Sequence, residues 1–487
     1  MVDSAKIEFD GVEVAELFPG GDFPKVGATN LNKIRFSGVS TDSRSVGKGE
    51  LFFALMGENF NGHDFVGDAI LRGAAGLVLD KDHASKVSDD LVANGKASEI
   101  AVMVVDDTLF ALGKLASHHR GNMEGRVVGI TGSNGKTTTK EMTASVAATK
   151  FVTEKSEGNF NNLIGLPMML LSMSKTDEVI VLELGMNVPG EMERLVQIAR
   201  PEVGVITNIG PVHLEGVGSI EGVVKEKSQI VTTLPKDGTA VINGDSEYCL
   251  GLVEKINSRI LTFGIEGDND VMAVDIEDLG WSGINAQIVI PGGEFSAHLQ
   301  IPGIHNLKNG LAAVSVGVAL GISKDEIKAG IEAVKSIKMR MEMITTANEI
   351  VILNDSYNAN TVSVKAAIRF LAKEAKEGGG RLIAVLGDML ELGDYTVLGH
   401  EEVGEEAVEV GVSYLFLLGN NAKDTARGAQ NAGFSSKKIS VYPAYGHEKL
   451  IRDLKDVLKP NDRVVVKGSR GMKMETIVKG ILDGSIH

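Results

Sequence analysis

The 487-residue chain has a single cysteine, Cys249, so no internal disulfide can form and no cysteine cluster is offered to zinc. A reducing cytoplasm fits that usage. Basic charge is not in excess: 49 Lys and Arg stand against 65 Asp and Glu, a formal net charge of −16. That balance argues against broad binding to nucleic acid or to an anionic membrane, and any anionic ligand would need a locally positive pocket. Long apolar runs are also missing. The longest, Gly310 to Ile322, is too short to cross a bilayer and is expected to be a packed helix. The opening residues MVDSAKIEFDGVEVAELF carry neither a basic leader nor a continuous apolar core, so no secretory signal is expected. There is no low-complexity tract and no fixed-period repeat.

What is present is the composition of a soluble globular protein, 43% hydrophobic and 23% charged, at a length that favours about three domains. Three blocks of alternating strand-like and helix-like segments predict an α/β fold with mostly parallel sheets, divided at 1–107, 108–336 and 337–487. The first block holds ELFFAL, AAGLVLD and AVMVVDD. The second holds EVIVLEL and VGVITNI. The third holds EIVILND, RLIAVLG, YLFLLG, KISVYP and RVVVKG. Ligands of such sheets gather at the C-terminal ends of strands, so the residues just past these runs are the candidates.

The strongest of them is GITGSNGKTTT, Gly129 to Thr139, between the strand-like RVVGI and the helix-like KEMTASVAATK. Its spacing is Gly-x2-Gly-x2-Gly-Lys-Thr, not the usual Gly-x4-Gly-Lys-Thr. A glycine-rich turn there aims backbone N–H groups at one point, where the helix dipole also favours an anion; polyphosphate fits. Lys136 would add charge over the outer phosphates, and Thr137 would offer a hydroxyl to Mg2+.

Other residues gain meaning beside that loop. Glu183 ends the apolar run EVIVLEL, where a carboxylate either caps a helix or holds a metal. His213 lies just beyond VGVITNI; alone it reads as an ordinary hydrogen-bonded histidine. Lys225 and Lys227 read as a solvated helix pair, unless one has a depressed pKa and takes up CO2 as a carbamate, an oxygen ligand for a metal. Asn306 and Asn309 are one helical turn apart, suited either to adenine edges or to capping. LNDSYNANTVS brings Asp355, Tyr357, Asn358 and Asn360 behind a strand, and RVVVKGSRGMKME does the same for Lys467, Ser469 and Arg470, a turn basic enough to hold a carboxylate.

Together these residues resemble the Mur ligase family over nearly the whole chain. In the first block the resemblance rests on Thr41-Asp42-Ser43-Arg44 and GELFFALMGENFNGHDF. In the second it rests on the phosphate loop, Gly158-Asn159-Phe160-Asn161-Asn162, Glu183-Leu184-Gly185-Met186, His213-Leu214, Lys227 and His305-Asn306-x2-Asn309. The third adds Asp-Ser-Tyr-Asn-Ala-Asn (355–360), Asp-Met-x-Glu-Leu-Gly (388–393) and Lys-Gly-Ser-Arg (467–470), which point within the family to the ligase that adds D-alanyl-D-alanine. The chain departs from the family pattern at Asn61 (aspartate expected), Val212 (alanine), Met339 (glycine) and Thr361 (proline).

The resemblance implies a three-domain Mur ligase architecture: an N-terminal domain for the UDP-sugar peptide, a central P-loop ATPase-like parallel-sheet domain, and a C-terminal Rossmann-like domain for D-alanyl-D-alanine and part of the ATP. It implies ATP-dependent amide formation through an acyl phosphate, with ATP and Mg2+ as cofactors. Gly132, Ser133, Asn134, Gly135, Lys136, Thr137 and Thr138 would hold ATP phosphates, Asn306 and Asn309 the adenine, and Arg340, Asp355 and Tyr357 would approach ATP from the third block. Thr137, Glu183, His213 and a carbamylated Lys227 would hold the metal, with Lys136, Glu183, His213 and Lys227 the catalytic set. Ser43, Arg44, Asn159, Asn161, Asn358, Asn360, Lys467 and Arg470 would meet the substrates. The implied partners are UDP-N-acetylmuramoyl-tripeptide and D-alanyl-D-alanine, with no nucleic acid, no membrane insertion and a monomeric chain. Alternatives are a related ligase with other substrates, such as a folylpolyglutamate synthase, or a P-loop kinase or switch; a guanine-reading Asn-Lys-x-Asp is absent.

Overall fold

The computed structural model describes residues 8–18, 34–57, 60–93, 100–158, 160–212 and 214–483. Three larger sheets organise them, beside a short antiparallel pair formed by Phe9–Asp10 and Arg35–Phe36. The first has four parallel strands in the order Val39–Ser40, Leu51–Phe53, Gly76–Asp80 and Ala101–Val105. Their side chains are almost all buried, which is why they read as continuous apolar runs and not as alternations.

The second sheet has nine strands, Gly293–Leu299, Ile284–Ile290, Val271–Asp278, Arg259–Gly264, Thr239–Asn243, Val203–Ile206, Arg126–Thr131, Val179–Glu183 and Thr153–Lys155 in spatial order. All neighbours are parallel except where Val271–Asp278, Ile284–Ile290 and Gly293–Leu299 form an antiparallel meander at one edge. The strand before the phosphate loop therefore lies between the strand that ends in Glu183 and the strand that leads toward residue 213. One register brings their C-terminal ends together, with Ile130 opposite Glu183 and Thr131 opposite Ile206.

The third sheet has six strands: Glu342–Thr345, antiparallel, then Val351–Asp355, Arg463–Lys467, Leu382–Gly387, Tyr414–Leu418 and Ile439–Tyr442, all parallel. Asp355 and Lys467 end adjacent strands and are partners in register. The run at 310–322 supplies residues 310–319 of the helix Ile304–Ala319, which packs on the helix Lys136–Ala147, and then the turn that follows it. None of the helices among the described residues is long and apolar enough to cross a membrane.

The second and third sheets also meet at a seam away from the phosphate loop. Trp281, just past the strand Val271–Asp278, stands edge-on to Phe370 of the helix Thr361–Gly378, with ring centroids 4.9 Å apart. Lys373 of that helix pairs with Asp278 at 2.9 Å.

Candidate active site

The strand Arg126–Thr131 ends in a turn that only glycine can make. Gly132 has φ +154°, and a Cβ there would fall 1.9 Å from the Thr207 hydroxyl. Gly135 has φ +81°, and a Cβ would fall 2.2 Å from Asn309 Oδ1. The helix Lys136–Ala147 starts immediately after, so its unpaired first-turn amides face the loop. Asn208 braces the loop from the next strand: its Oδ1 accepts from Asn134 N at 2.8 Å and its backbone oxygen from Ser133 N at 3.0 Å.

Positive charge is concentrated beneath this turn. Lys136 Nζ and Lys227 Nζ both donate to Gly132 O, at 2.8 and 3.1 Å. Burial pushes the Lys136 ammonium below its usual pKa, opposed by Glu183. For Lys227 burial acts first, the Lys136 charge adds to it, and the amine lies well below the ordinary lysine range. On the helix Ile220–Thr232 the two lysines separate as a single inward turn requires: Lys225 is exposed and Lys227 is wholly buried.

Glu183 is 5% exposed, and each of its carboxylate oxygens has one partner. It accepts from Thr137 Oγ1 at 2.8 Å and from Asn161 Nδ2 at 2.9 Å, while its backbone N–H donates to Ser156 Oγ. It caps no helix. A hydroxyl and a carboxylate side by side are a hard oxygen donor set. His213 and Asn159 lie outside the described residues.

From the third sheet, Arg340 donates to Thr137 Oγ1 at 2.8 Å and stacks over Tyr357, 4.2 Å from its ring centre, while its buried Nε has no partner. Met339, before it, has φ +58°, in the left-handed region that the glycine expected from the family pattern would adopt without strain; a methionine in it costs about 1–2 kcal/mol. Asn360 caps the helix Thr361–Gly378 with its Oδ1 and donates from Nδ2 to Asn134 Oδ1 at 2.6 Å, tying that helix to the phosphate loop. Thr361 takes the first helical position, where proline is also favoured.

Lys467 is 3% exposed; it pairs with Asp355 and donates to Asn358 O at 2.9 Å. Two of its three protons are thus committed inside the protein. Arg470 is the accessible cation of that turn, half-exposed and 3.0 Å from Glu475. A cavity of about 280 Å³ unites Ser133 to Thr137, Asn161, Glu183, Arg340, Tyr357, Asn358, Asn360 and Lys467. A second, of about 170 Å³, continues past Asn134, Gly135 and Thr138 to Asn306, Asn309 and Asp355. Within it Asn306 Nδ2 donates to Pro302 O and Asn309 Nδ2 to Asn306 Oδ1.

Ser43 and Arg44 line neither cavity. Ser43 is buried in the turn after Val39–Ser40, and exposed Arg44 holds Asp42, whose carboxyl is lowered to about 2 chiefly by that hydrogen bond. Ser156, Asn208 and Lys140, whose Nζ donates to Ser156 O at 2.6 Å, support the site without belonging to a motif that would have singled them out.

A separate cluster joins His63, Asp80 and His83 around Asn61. Asp80 N donates to His63 Nε2, so His63 Nδ1–H donates to Asn61 Oδ1; Asn61 Nδ2 donates to His83 Nε2, and His83 Nδ1–H donates to Asp80. The imidazoles stack 4.3 Å apart at 20°, so their in-plane lone pairs cannot converge on one ion. The chain's departure to asparagine at position 61 completes this network, because its amide supplies both an acceptor and a donor.

Three family descriptions match the chain: "Mur ligase family, catalytic domain" at residues 35–120, "Mur ligase middle domain" at 130–317, and "Mur ligase, glutamate ligase domain" at 339–470. The UDP-N-acetylmuramoyl-tripeptide--D-alanyl-D-alanine ligases of Bacillus subtilis and Escherichia coli are 37% and 36% identical to it. Each alignment covers 92% of this chain and 94% of the relative. Among solved structures, MurF from Acinetobacter baumannii superposes with a TM-score of 0.83 at 30% identity, covering 99% of this chain and 100% of that one. The MurF ligase from Thermotoga maritima in complex with ADP gives 0.75 at 28%, covering 91% and 97%.

Proposed function

The chain belongs to the Mur ligase family, and on that premise we propose that it joins D-alanyl-D-alanine to UDP-N-acetylmuramoyl-tripeptide at the expense of ATP, completing the pentapeptide precursor of peptidoglycan. The observation that carries this is the meeting of the phosphate loop, the Thr137–Glu183 pair and Arg340 around one cavity built by two sheets.

A carboxylate is a poor acyl donor, since resonance and charge both repel an amine. Transfer of the γ-phosphoryl group of ATP to the peptide carboxylate gives an acyl phosphate, which the dipeptide amine then attacks with loss of phosphate. Two anions must meet in the first step, and Lys136 lies where it would offset their charge. The partnerless Arg340 Nε is suited to a phosphate oxygen approaching from the opposite side. Asn306 and Asn309 would flank the adenine in the second cavity, and Arg470 would take the dipeptide carboxylate.

The adjacent oxygens of Thr137 and Glu183 suit Mg2+, and His213, with Lys227 as a carbamate, would complete the set that holds it. When bound, the ion would supply positive charge to offset that of the phosphates. Two ammonium groups sharing Gly132 O repel each other, and a neutral Lys227 is the form that reacts with CO2. Contact of the third sheet with the phosphate loop through Asn360 and Arg340 would exclude water from the acyl phosphate.

The test is incubation with Mg2+, ATP, D-alanyl-D-alanine and UDP-N-acetylmuramoyl-tripeptides carrying either diaminopimelate or lysine. ADP should appear in step with UDP-muramoyl-pentapeptide from at least one of them. ADP release without pentapeptide would leave a phosphatase or switch and sink the ligase assignment.

A further inference from the structure

Arg340 reaches the phosphate loop from a turn that contains no glycine. The turn closes on itself, Arg340 N donating to Ile337 O at 3.0 Å, and the residues on both sides of Arg340 lie in the left-handed region: Met339 at φ +58° and Met341 at φ +48°. Residues with a side chain keep such a conformation only where their surroundings impose it, and they gather at functional sites. Met339 N donates to Glu342 Oε2 at 2.9 Å, Met341 N to Asp355 Oδ1 at 3.2 Å, and Tyr357 N to Met339 O at 3.3 Å. Each of these partners belongs to the third sheet or to the loop after its strand Val351–Asp355. Glu342 stands opposite Asn354 in the antiparallel pair at the edge of that sheet. Its Oε2 also accepts from Asn354 Nδ2 at 2.7 Å, and Asn354 Oδ1 accepts from Ser356 Oγ at 2.6 Å. Asn354 is 4% exposed and Ser356 is fully buried, so this relay fixes the Glu342 carboxylate from the interior of the domain.

We propose that Glu342 is the positioning residue for Arg340: it clamps the left-handed turn onto the third sheet and so holds the guanidinium at the phosphate loop. The inference rests on the reading of Arg340 as a partner of the ATP phosphates and deepens it, naming the residue through which that partner is held. The guanidinium donates to Thr137 Oγ1 at 2.8 Å, lies 4.2 Å from the Tyr357 ring centre, and keeps a buried Nε without a partner. Those contacts fix the end of the side chain, whereas the turn fixes where it starts. Without Glu342, Met339 can relax to an ordinary negative φ, which redirects the chain at Arg340 and swings the guanidinium off a loop that belongs to another sheet. Asp355 holds only the far side of the turn, its other oxygen being taken by Lys467. Both donors to Glu342 are neutral N–H groups, so what it supplies is an acceptor in the right place, which an amide oxygen can imitate. Because the clamp lies wholly within the third sheet, Arg340 travels with that sheet and not with the loop it serves.

The experiment is a double-mutant cycle on the full chain: wild type, Arg340→Ala, Glu342→Ala and the two combined. It is read as kcat for pentapeptide formation and as Kd for the ATP analogue AMP-PNP with Mg2+ by calorimetry. Arg340→Ala should lower kcat by about 10²-fold or more, as when a charge partner of a transition state is lost, and weaken the analogue about tenfold. Glu342→Ala should show part of each loss, about tenfold in kcat for a misplaced group, with the KM values for tripeptide and dipeptide unchanged. In the Arg340→Ala background Glu342→Ala should change neither quantity by more than about twofold, because the group it places is gone. Glu342→Gln, whose amide oxygen can accept both bonds, should lose less than Glu342→Ala. Adding Met339→Gly, which takes φ +58° without strain, should return part of the lost rate to Glu342→Ala. Wild-type kcat and Kd in Glu342→Ala would overturn the proposal, and so would equal losses with and without Arg340, the mark of a residue that serves only the fold. Glu342→Asp, which keeps the charge and withdraws the oxygen, takes its place in the cycle if Glu342→Ala does not fold. If the wild-type protein binds the analogue but forms no pentapeptide, the ligase reading falls while the cycle in Kd still decides Glu342.

Discussion

Two polar clusters in this chain differ in one respect that separates a binding site from a scaffold. Around Asn61, every donor meets an acceptor: each imidazole nitrogen of His63 and His83 has its partner, and the tautomers are fixed by the pattern. Around Gly132 the accounts stay open. Two lysines share one carbonyl oxygen, Arg340 Nε is buried without a partner, and the first-turn amides of a helix face a cavity. A completed network has no donor to spare, whereas buried donors without partners suit an anion such as the polyphosphate proposed above.

The comparison breaks first at Lys136. Lys136→Ala should lower turnover by about 10²–10³-fold, as when one charge partner of a transition state is removed, with the melting temperature little changed; near-normal turnover would put the site elsewhere. Next comes Lys227→Ala, expected to be almost as damaging but partly restored by formate or acetate if a carbamate is what the protein uses. A rate flat in added carboxylate would leave the buried lysine as a structural cation. In the Asn61 cluster the cost should fall on stability. Asn61→Ala strands two ring nitrogens and should cost about 1–3 kcal/mol by denaturant unfolding, with kcat at saturating substrates retained; a kcat collapse at unchanged stability would erase the distinction.

The smallest effect is one of pH. Burial, opposed by Asp80, holds His63 below its usual pKa of 6.5. The unfolded chain therefore binds that proton more readily, and His63 contributes stability above pH 6.5 that is lost as pH falls below it. Unfolding of wild type against His63→Gln from pH 7.5 to 5 should show the gap narrowing toward acid; a widening gap would mean that the ring is charged in the folded state.

Much of the fold was legible because parallel strands are buried on both faces. EVIVLEL, VGVITNI and the five runs of the third sheet each contain the strand found, with boundaries up to three residues inside the apolar run. The meander Val271–Leu299 was not anticipated: its strands alternate buried and part-exposed positions, so no continuous run announces them. The turn between the strand Arg126–Thr131 and the helix Lys136–Ala147 was readable because Gly132 and Gly135 are sterically obligatory. Lys225 and Lys227 could not be told apart by composition, since only packing decides which of two residues 200° apart on a helix turns inward. Asn208 and Ser156 were missed for a similar reason, being single polar residues whose meaning lies in what they brace.

The Trp281–Phe370 seam has a practical consequence. The chain contains one tryptophan, so its indole emission, excited clear of the tyrosines, comes from a single place, the seam between the second and third sheets. Any swing of one sheet against the other on adding nucleotide or sugar-peptide would be written in the colour and intensity of that one indole, and could be followed by stopped-flow without attaching a dye.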